Sequence, residues 1–180
     1  MRIISGIYKG RRLTAPKNLP VRPTTDFAKE ALFNILRVRY FFEELTVLDL
    51  FSGTGNISFE FASRGVNNIT AVDQHHGCIQ YINKVSEEFD FSINTIKSDV
   101  FKYLENSSGK FDVIFADPPY DFDVSKLENI VKTIFEKNLL EEEEGMLVIE
   151  HSKMNNLSAI EHFKEARKYG GNVFSFFGCG

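Results

Sequence analysis

The sequence predicts an α/β fold with a mostly parallel, seven-stranded sheet whose last two strands form an antiparallel hairpin. Three observations indicate this fold. Short apolar runs alternate with amphipathic helical segments, which is typical of βαβ units. A turn with two glycines follows the first of these runs, and acidic residues follow several later ones. The chain has 180 residues, 43% of them apolar, which suffices for the core of a single domain.

The first 40 residues predict a basic arm ahead of the main domain. Residues 2–5 and 11–14 predict two short strands of a hairpin. Prolines at positions 16, 20 and 23 then favour an extended segment. Thr24, Thr25 and Asp26 are N-cap candidates for a helix from about Phe27 to Arg39. We therefore expect an arm of hairpin and helix at residues 1–40 and a main domain at residues 41–180.

The main domain predicts the remaining elements in alternation. Strands are expected at residues 47–51, 69–72, 93–96, 111–116, 146–149, 163–169 and 173–177. Helices are expected at residues 57–64, 77–89 and 126–139, with shorter ones near 100–104 and 155–161. Gly170-Gly171 predicts a tight turn between the last two strands, whereas strands separated by helices pair in parallel.

The turn after the first of these strands predicts a nucleotide-type site. Ser52-Gly53-Thr54-Gly55 links a buried strand to a helix, and Asp73 ends the next strand, 20 residues beyond Gly53. An acidic residue at this spacing normally binds a ribose hydroxyl pair. The glycine pattern alone would predict only a tight turn, and its combination with Asp73 favours a cofactor.

The identity of the cofactor follows from charge. Ser58 stands where a dinucleotide fold has its third glycine, and Asp49 on the first strand would repel a pyrophosphate. S-adenosylmethionine carries a sulfonium and an ammonium group and no phosphate, so it fits an acidic cleft. We expect Asp49 near its amino-acid end, Gly53 and Gly55 at the adenosine, and Asp73 at the ribose. The expected cofactor site also includes Asp99 at the adenine amine, with Ser52, Arg22 and Thr24.

A second motif follows the strand at residues 111–116. Asp117-Pro118-Pro119-Tyr120 delivers a carboxylate, a donor-free backbone and an aromatic ring to the carboxyl edge of the sheet, where ligands bind in open α/β folds. Asp117 and the Pro118 carbonyl could accept both N–H groups of an exocyclic amine while Tyr120 lies against the ring. The tetrapeptide predicts amine methylation, although the same residues could form an ordinary turn.

Charge is distributed unevenly along the chain. Residues 1–39 hold nine Lys and Arg against two acidic residues, a net +7, which leaves −11 for the rest of a chain whose total is −4. A basic arm on an acidic body is typical of nucleic-acid contact, and a solvated charged face is the alternative. We expect Lys9, Arg11, Arg12 and Arg22 to contact the nucleic acid. Arg22 precedes Pro23 near the predicted cleft and could instead touch the cofactor.

Other patterns argue against several classes of protein. The sequence shows no long apolar run or secretory signal, so a cytoplasmic protein without a membrane partner is expected. Cys78 and Cys179 are isolated, and the four histidines lack metal-ligand spacing, so no metal is expected. Neither a phosphate-binding loop nor a nucleophile elbow is present in the sequence.

Several motifs together resemble the bacterial RsmD-type family of class I methyltransferases, which have a Rossmann-like fold. The resemblance runs from residue 2 to about 177 and is carried by Gly6-x-Tyr8-Lys9-Gly10-Arg11, Arg22-Pro23-Thr24-Thr25-Asp26, Asp49 to Gly55, Ser63-Arg64-Gly65, Asp117 to Tyr120 and Arg167 to Phe177. It implies methylation of N2 of one guanine in 16S ribosomal RNA with S-adenosylmethionine. The implied partner is this RNA within a small-subunit particle, and we expect a monomer.

Three other functions share part of this pattern. DNA adenine-N6 and cytosine-N4 methyltransferases use the same tetrapeptide chemistry, but they generally need an extra target-recognition region for which 180 residues leave little room. Protein glutamine-N5 methyltransferases generally begin the motif with Asn, where this chain has Asp117. A non-catalytic RNA-binding assembly factor would be expected to have lost Asp49, Gly53 or Asp117, and all three are intact.

Overall fold

The computed structural model describes residues 1–20 and 24–179. Seven strands form one sheet: β1 (Thr46–Leu50), β2 (Asn68–Asp73), β3 (Ile93–Lys97), β4 (Val113–Ala116), β5 (Met146–Ser152), β6 (Phe163–Tyr169) and β7 (Asn172–Gly178). Their spatial order is β3-β2-β1-β4-β5-β7-β6. The first five strands are parallel, and β7 is antiparallel to both β5 and β6. The predicted fold class is confirmed.

Among the described residues, five α-helices flank the sheet: α1 (Asp26–Arg39), α2 (Asn56–Ser63), α3 (His76–Phe89), α4 (Val100–Asn106) and α5 (Val124–Glu136). Side chains cap three of them. Thr25, Asp99 and Asp123 accept backbone N–H bonds at the starts of α1, α4 and α5. None of the helices among the described residues is long and apolar enough to span a membrane.

The strand order places a crevice between β1 and β4. The chain runs outward from β1 to β3 and then returns to the other side of β1, so strand order reverses at this point. In open α/β sheets the crevice at such a reversal binds the ligand, at the carboxyl ends of the strands. Asp49 near the end of β1 and Asp117 just after β4 therefore lie on the two sides of one opening.

Two hydrophobic layers cover the sheet, because successive side chains of a strand point to opposite faces. On one face, Leu32 and Phe33 of α1 are buried with Val47 and Val113. On the other face, Ile130 of α5 packs with the sheet residues of a second cluster. Helix α1 thus shares one core with the sheet, although the sequence assigns it to the arm.

The predicted N-terminal hairpin forms only in part. Backbone bonds join Ile3 to Arg11 and Leu13 to Met1, but the only regular pairing among residues 1–20 is a single antiparallel bridge between Arg2 and Arg12. The prediction of two strands is therefore wrong. The physical reason is competition, because Glu60 and Ser63 of α2 bind the N–H groups of residues 4, 5, 7 and 8.

One expected helix does not form, and the bounds of one helix and one strand differ from the prediction. The expected helix near residues 155–161 is a series of turns closed by bonds such as Ile160 N–H to the Leu157 carbonyl. Helix α5 ends at Glu136 rather than near residue 139, because Asn138 adopts a left-handed φ of 54° and turns the chain back into the core. Strand β4 begins at Val113, and Phe111 forms only an isolated bridge with Leu140.

Candidate active site

A cavity of about 560 Å³ opens at the carboxyl edge of the sheet, at the predicted crevice. Ten of the predicted site residues line it: Thr24, Asp49, Ser52, Gly53, Asp73, Asp99, Asp117, Pro118, Pro119 and Tyr120. Lys9, Arg11 and Arg12 are not among the lining residues and are exposed on the arm. Arg22 lies outside the described residues.

Asp49 forms the floor of this cavity. It belongs to β1, is only 2% exposed, and accepts a hydrogen bond of 2.6 Å from the Ser58 hydroxyl of α2. Burial raises the pKa of Asp49 to about 7, although the Ser58 hydrogen bonds act in the opposite direction. The carboxyl group is therefore poised to ionise fully when a cation approaches it.

The turn after β1 is built around Asp73. Its Oδ2 accepts the Gly53 N–H at 2.8 Å and its Oδ1 accepts the His75 N–H at 2.8 Å. Each carboxylate oxygen has two acceptor sites, so both retain capacity for a ribose hydroxyl. The bond to Gly53 holds the glycine turn against the end of β2.

Gly55 lies behind the turn rather than in the cavity lining. Its φ is 80°, and a Cβ there would lie 2.9 Å from Cγ1 of Ile82 and 3.0 Å from the Phe59 ring. Close packing and a left-handed backbone therefore explain this glycine. Its expected contact with the adenosine stays a prediction.

Two aromatic residues that the sequence analysis missed line the cavity beside Asp99, the residue expected to bind the adenine amine. Asp99 lines the cavity and also caps α4, accepting the Lys102 N–H at 3.0 Å. Beside it Phe101 and Phe122 also line the cavity, and their rings are stacked with centroids 6.1 Å apart. An acceptor next to aromatic faces suits a flat heterocycle with an exocyclic amine.

The donor set fits S-adenosylmethionine. The described cavity lining holds four aspartates and no Lys or Arg, which suits a cationic ligand without phosphate. The buried Ser52 hydroxyl also lines the cavity and has no hydrogen-bond partner within the described protein, so a ligand hydroxyl or amine could satisfy it. We therefore expect Asp49 and Ser52 to bind the charged end and Asp73 the ribose.

Asp117-Pro118-Pro119-Tyr120 forms the opposite wall. The Asp117 N–H is 3.4 Å from the Leu50 carbonyl, which holds the end of β4 beside β1. The Pro119 carbonyl accepts the Phe122 N–H at 3.0 Å, so the segment turns back at once. Tyr120 is 38% exposed, and its hydroxyl donates to Oδ1 of Asn172.

Comparison with known proteins identifies the family. A profile described as Conserved hypothetical protein 95 matches residues 1–178. This chain belongs to that family. Several of its relatives carry the name ribosomal RNA small subunit methyltransferase D. The prediction of an RsmD-type protein is therefore confirmed.

Three curated relatives illustrate the similarity. Ribosomal RNA small subunit methyltransferase D of Haemophilus influenzae is 29% identical over 182 residues, covering 98% of this chain and 91% of its own. The Escherichia coli K12 protein of the same name is 27% identical over 161 residues, covering 89% and 79%. YlbH of Bacillus subtilis, provisionally named an rRNA methyltransferase, is 35% identical over 158 residues, covering 85% and 83%.

Solved structures confirm the fold. Thermus thermophilus hypothetical protein TTHA0928 superposes with a TM-score of 0.85 and 26% identity over 99% of both chains. RsmC of the same organism, solved with AdoMet and guanosine, has a TM-score of 0.70 and 20% identity over 90% of this chain and 45% of its own, a likeness of fold alone. The RsmD-type chain has the class I methyltransferase fold, and S-adenosylmethionine is its cofactor.

The arm of this RsmD-type chain is fastened to α2 by buried charges. Lys29 of α1 is 1% exposed and donates to the Arg2 carbonyl at 2.6 Å and to Asn56 Oδ1 at 2.8 Å, with Glu60 Oε2 3.5 Å away. Burial lowers the pKa of Lys29, and Glu60 opposes that effect. The Arg11 guanidinium lies 5.3 Å from the centre of the Phe89 ring. These contacts hold the arm, with its exposed basic residues, in a fixed position against α2 and α3.

Sequence analysis also missed two polar residues next to the cavity, Glu150 and Asn172. Thr24, an expected cofactor residue, donates to Glu150 Oε2 at 2.7 Å. Glu150 is 2% exposed in β5. A glutamate directly after the apolar run Met146–Ile149 was a signal that could have been used, because charged residues are rarely fully buried without a specific partner.

Proposed function

We propose that this RsmD-type protein transfers a methyl group from S-adenosylmethionine to the exocyclic N2 amine of a guanine in 16S ribosomal RNA. Family membership and the names of its relatives support methylation of ribosomal RNA. The choice of guanine N2 rests on the resemblance of its motifs to the RsmD-type family. We further propose that the substrate is a small-subunit particle and that the enzyme acts as a cytoplasmic monomer.

One observation supports amine methylation above all others. Asp117, Pro118 and Tyr120 line the same cavity as the acidic residues expected to bind the cofactor. A target amine held by the Asp117 carboxylate and the Pro118 carbonyl would have both N–H groups engaged and its lone pair directed into the cavity. Fixing the two reactants in this way is catalysis by proximity and orientation.

The residues then have separate roles in the transfer. When bound, S-adenosylmethionine supplies an electrophilic methyl group on a sulfonium sulfur. Asp117 stabilises the positive charge that develops on the amine nitrogen as the C–N bond forms and the C–S bond breaks. The surplus proton of the methylated amine leaves to Asp117 or to water. Tyr120 packs against the base, which must be splayed from its stack to enter the cavity.

Docking of the RNA is assigned to the arm. Lys9, Arg11 and Arg12 are exposed on a segment that contacts α2 and α3 through Tyr8. The chain beyond residue 39 is strongly acidic. Phosphate contacts are therefore expected to concentrate on these cations and on Arg22. In this arrangement the arm binds the backbone while the cavity binds one base.

The experiment is methyl transfer in vitro followed by nucleoside mass spectrometry. Purified protein, labelled S-adenosylmethionine, and either free 16S RNA or small subunits from a strain lacking the gene are the components. The expected product is N2-methylguanosine at one site in the wild-type reaction and none with Asp117→Ala. Methylation of DNA adenine or cytosine instead, or of no nucleic acid, would contradict the proposal.

A further inference from the structure

A chain of three hydrogen bonds, two of them buried, links Tyr120 to two other parts of the fold. The Tyr120 hydroxyl donates to Oδ1 of Asn172, at the start of β7. Nδ2 of Asn172 donates to Oε1 of Glu150 in β5 at 2.6 Å, and Oε2 of Glu150 accepts the Thr24 hydroxyl at 2.7 Å. One carboxylate thus connects the segment before α1, the β5–β7 pair and the loop that follows β4.

The direction of each bond is determined by chemistry. The Asn172 NH2 group faces Glu150, and a carboxylate accepts hydrogen bonds at both of its oxygens. The Asn172 carbonyl oxygen then faces Tyr120, and the tyrosine hydroxyl must donate. Without Glu150, the Asn172 amide could rotate by half a turn and present its NH2 group to Tyr120 instead.

Glu150 and its two partners Thr24 and Asn172 are buried, which indicates that their hydrogen bonds serve a specific role. Glu150 is 2% exposed, Thr24 is 6% and Asn172 is 8%, although a carboxylate loses its hydration in such a place. Tyr120 by contrast is 38% exposed in a turn rich in proline. Two side-chain torsions determine where its ring lies, and the bond at the hydroxyl restrains both.

We propose that Glu150 is a positioning residue for methyl transfer, acting through Asn172 to hold the Tyr120 ring in the orientation that packs on the target base. This inference rests on the proposed function, in which Tyr120 contacts the base. Glu150 itself does not touch the substrate amine. Its contribution is to determine the direction of the Asn172 amide and so the place of the tyrosine ring.

A double-mutant cycle in the full-length protein tests the link. Asn172→Leu keeps the branched shape of the side chain and removes both bonds, and Tyr120→Phe removes only the hydroxyl. We expect each variant to lower kcat about tenfold, since small misplacements of a reacting pair are costly. Because both changes break the same bond, the double variant should be no slower than Asn172→Leu alone. Cofactor affinity should be unchanged in both.

Variants of Glu150 add a rescue test. Glu150→Leu should lower kcat less than Asn172→Leu does, because a rotated Asn172 amide can still bond the Tyr120 hydroxyl in an altered geometry. Glu150→Gln should recover most of the rate, because the glutamine carbonyl can still accept the Asn172 N–H. Ser175→Ala is the matched control. It removes another buried bond of β7, from Ser175 Oγ to His151 Nε2 at 2.7 Å, and should lower the melting temperature without changing kcat.

An NMR measurement that does not depend on methyl transfer separates this inference from the proposed function. Ring resonances of Tyr120 in protein with isotope-labelled tyrosine should shift and broaden in Asn172→Leu and Glu150→Leu, but not in Ser175→Ala or Glu150→Gln. If wild-type protein methylates no RNA yet shows this pattern, the proposed function fails and the tether stands. Independent, multiplicative losses in the cycle, or a Tyr120 spectrum insensitive to Glu150→Leu, would overturn the positioning role.

Discussion

The Asp49 carboxylate and the Ser58 hydroxyl are joined by a 2.6 Å hydrogen bond at the floor of the cavity, where Asp49 is 2% exposed. Burial raises the pKa of Asp49 to about 7, from 3.8 in the exposed state. A cationic ligand beside this group favours its ionised form. Cofactor binding should therefore release a proton wherever free Asp49 is partly protonated.

The first prediction is that affinity for S-adenosylmethionine falls as pH drops below about 7, approaching tenfold per pH unit, because the group must lose its proton on binding. Calorimetric titration at pH 6 in buffers of different ionisation heat measures the proton count. Asp49→Asn should bind weakly and with no proton release. Ser58→Ala should move the midpoint upward, since its hydrogen bond favours the ionised form. Equal proton release by wild type and Asp49→Asn would contradict the assignment.

The same shift predicts a pH dependence of stability in the absence of cofactor. Between pH 4 and 7 the folded state binds more protons at Asp49 than the unfolded chain, so its contribution to the free energy of unfolding is fully present below about pH 4 and is lost as pH rises through 7. The loss is on the order of 4 kcal/mol. Urea unfolding of wild type and Asp49→Asn across this range should give curves that diverge toward high pH, in favour of the variant.

Asp117→Ala should abolish methyl transfer and leave cofactor affinity within a few-fold, because the proposed contact of Asp117 is with the substrate amine. Transfer rates on ribosomal RNA and calorimetric titration of the cofactor measure the two effects. Asp121→Ala is the control, since it removes an exposed carboxylate from the same loop that is not among the residues lining the cavity. Near-normal turnover by Asp117→Ala would reduce the tetrapeptide to a turn.

The arm should dominate RNA affinity despite the net charge of −4. Arg11→Ala with Arg12→Ala should weaken RNA binding and lower the slope of log affinity against log salt by roughly 0.7 for each lost contact, the single-strand value. Filter binding across a salt series is the measurement. The pair Lys132→Ala and Lys137→Ala removes equal charge from α5 and its C-cap and should leave the slope almost unchanged. The prediction fails if the two double variants behave alike.

Two glycines of the arm allow a matched test of its docking. Gly6 and Gly10 have φ of 89° and 83°, but a Cβ on Gly6 would lie 1.8 Å from the Ser63 carbonyl oxygen, whereas a Cβ on Gly10 would have nothing within 4 Å. Gly10→Ala should cost only backbone strain, about 1–2 kcal/mol. Gly6→Ala adds a collision with the backbone of α2 and should displace the arm. Urea unfolding measures the stability of the two variants, and limited proteolysis measures how accessible the arm is in each. Equal losses of stability and equal cleavage would mean that the arm does not dock at Ser63.

The strands of the sheet and the main acidic residues of the cavity could be predicted from the sequence. Strands β1 and β4 are buried on both faces, so their apolar runs were visible, and Asp49, Asp73 and Asp117 could be placed by position at strand ends. Contacts between distant segments were not visible. Residues 2–5 have a strand-like pattern, but Glu60 of α2 accepts the backbone N–H groups of Ile4 and Ser5. The Glu150 to Asn172 bond depends on the antiparallel register of β5 and β7, which no local pattern specifies.

Strand β7 is the last strand in chain order, yet it lies between β5 and β6. During synthesis the parallel strands and their loops can associate as they emerge, whereas β6 has no edge to join until β7 has been made. The loops expected to bind the methyl donor therefore precede Asn172, the hydrogen-bond partner of Tyr120, in the order of synthesis. Translation thus supplies the expected cofactor site first and the residue that we propose holds Tyr120 last, an order that follows from the place of β7 in the sheet.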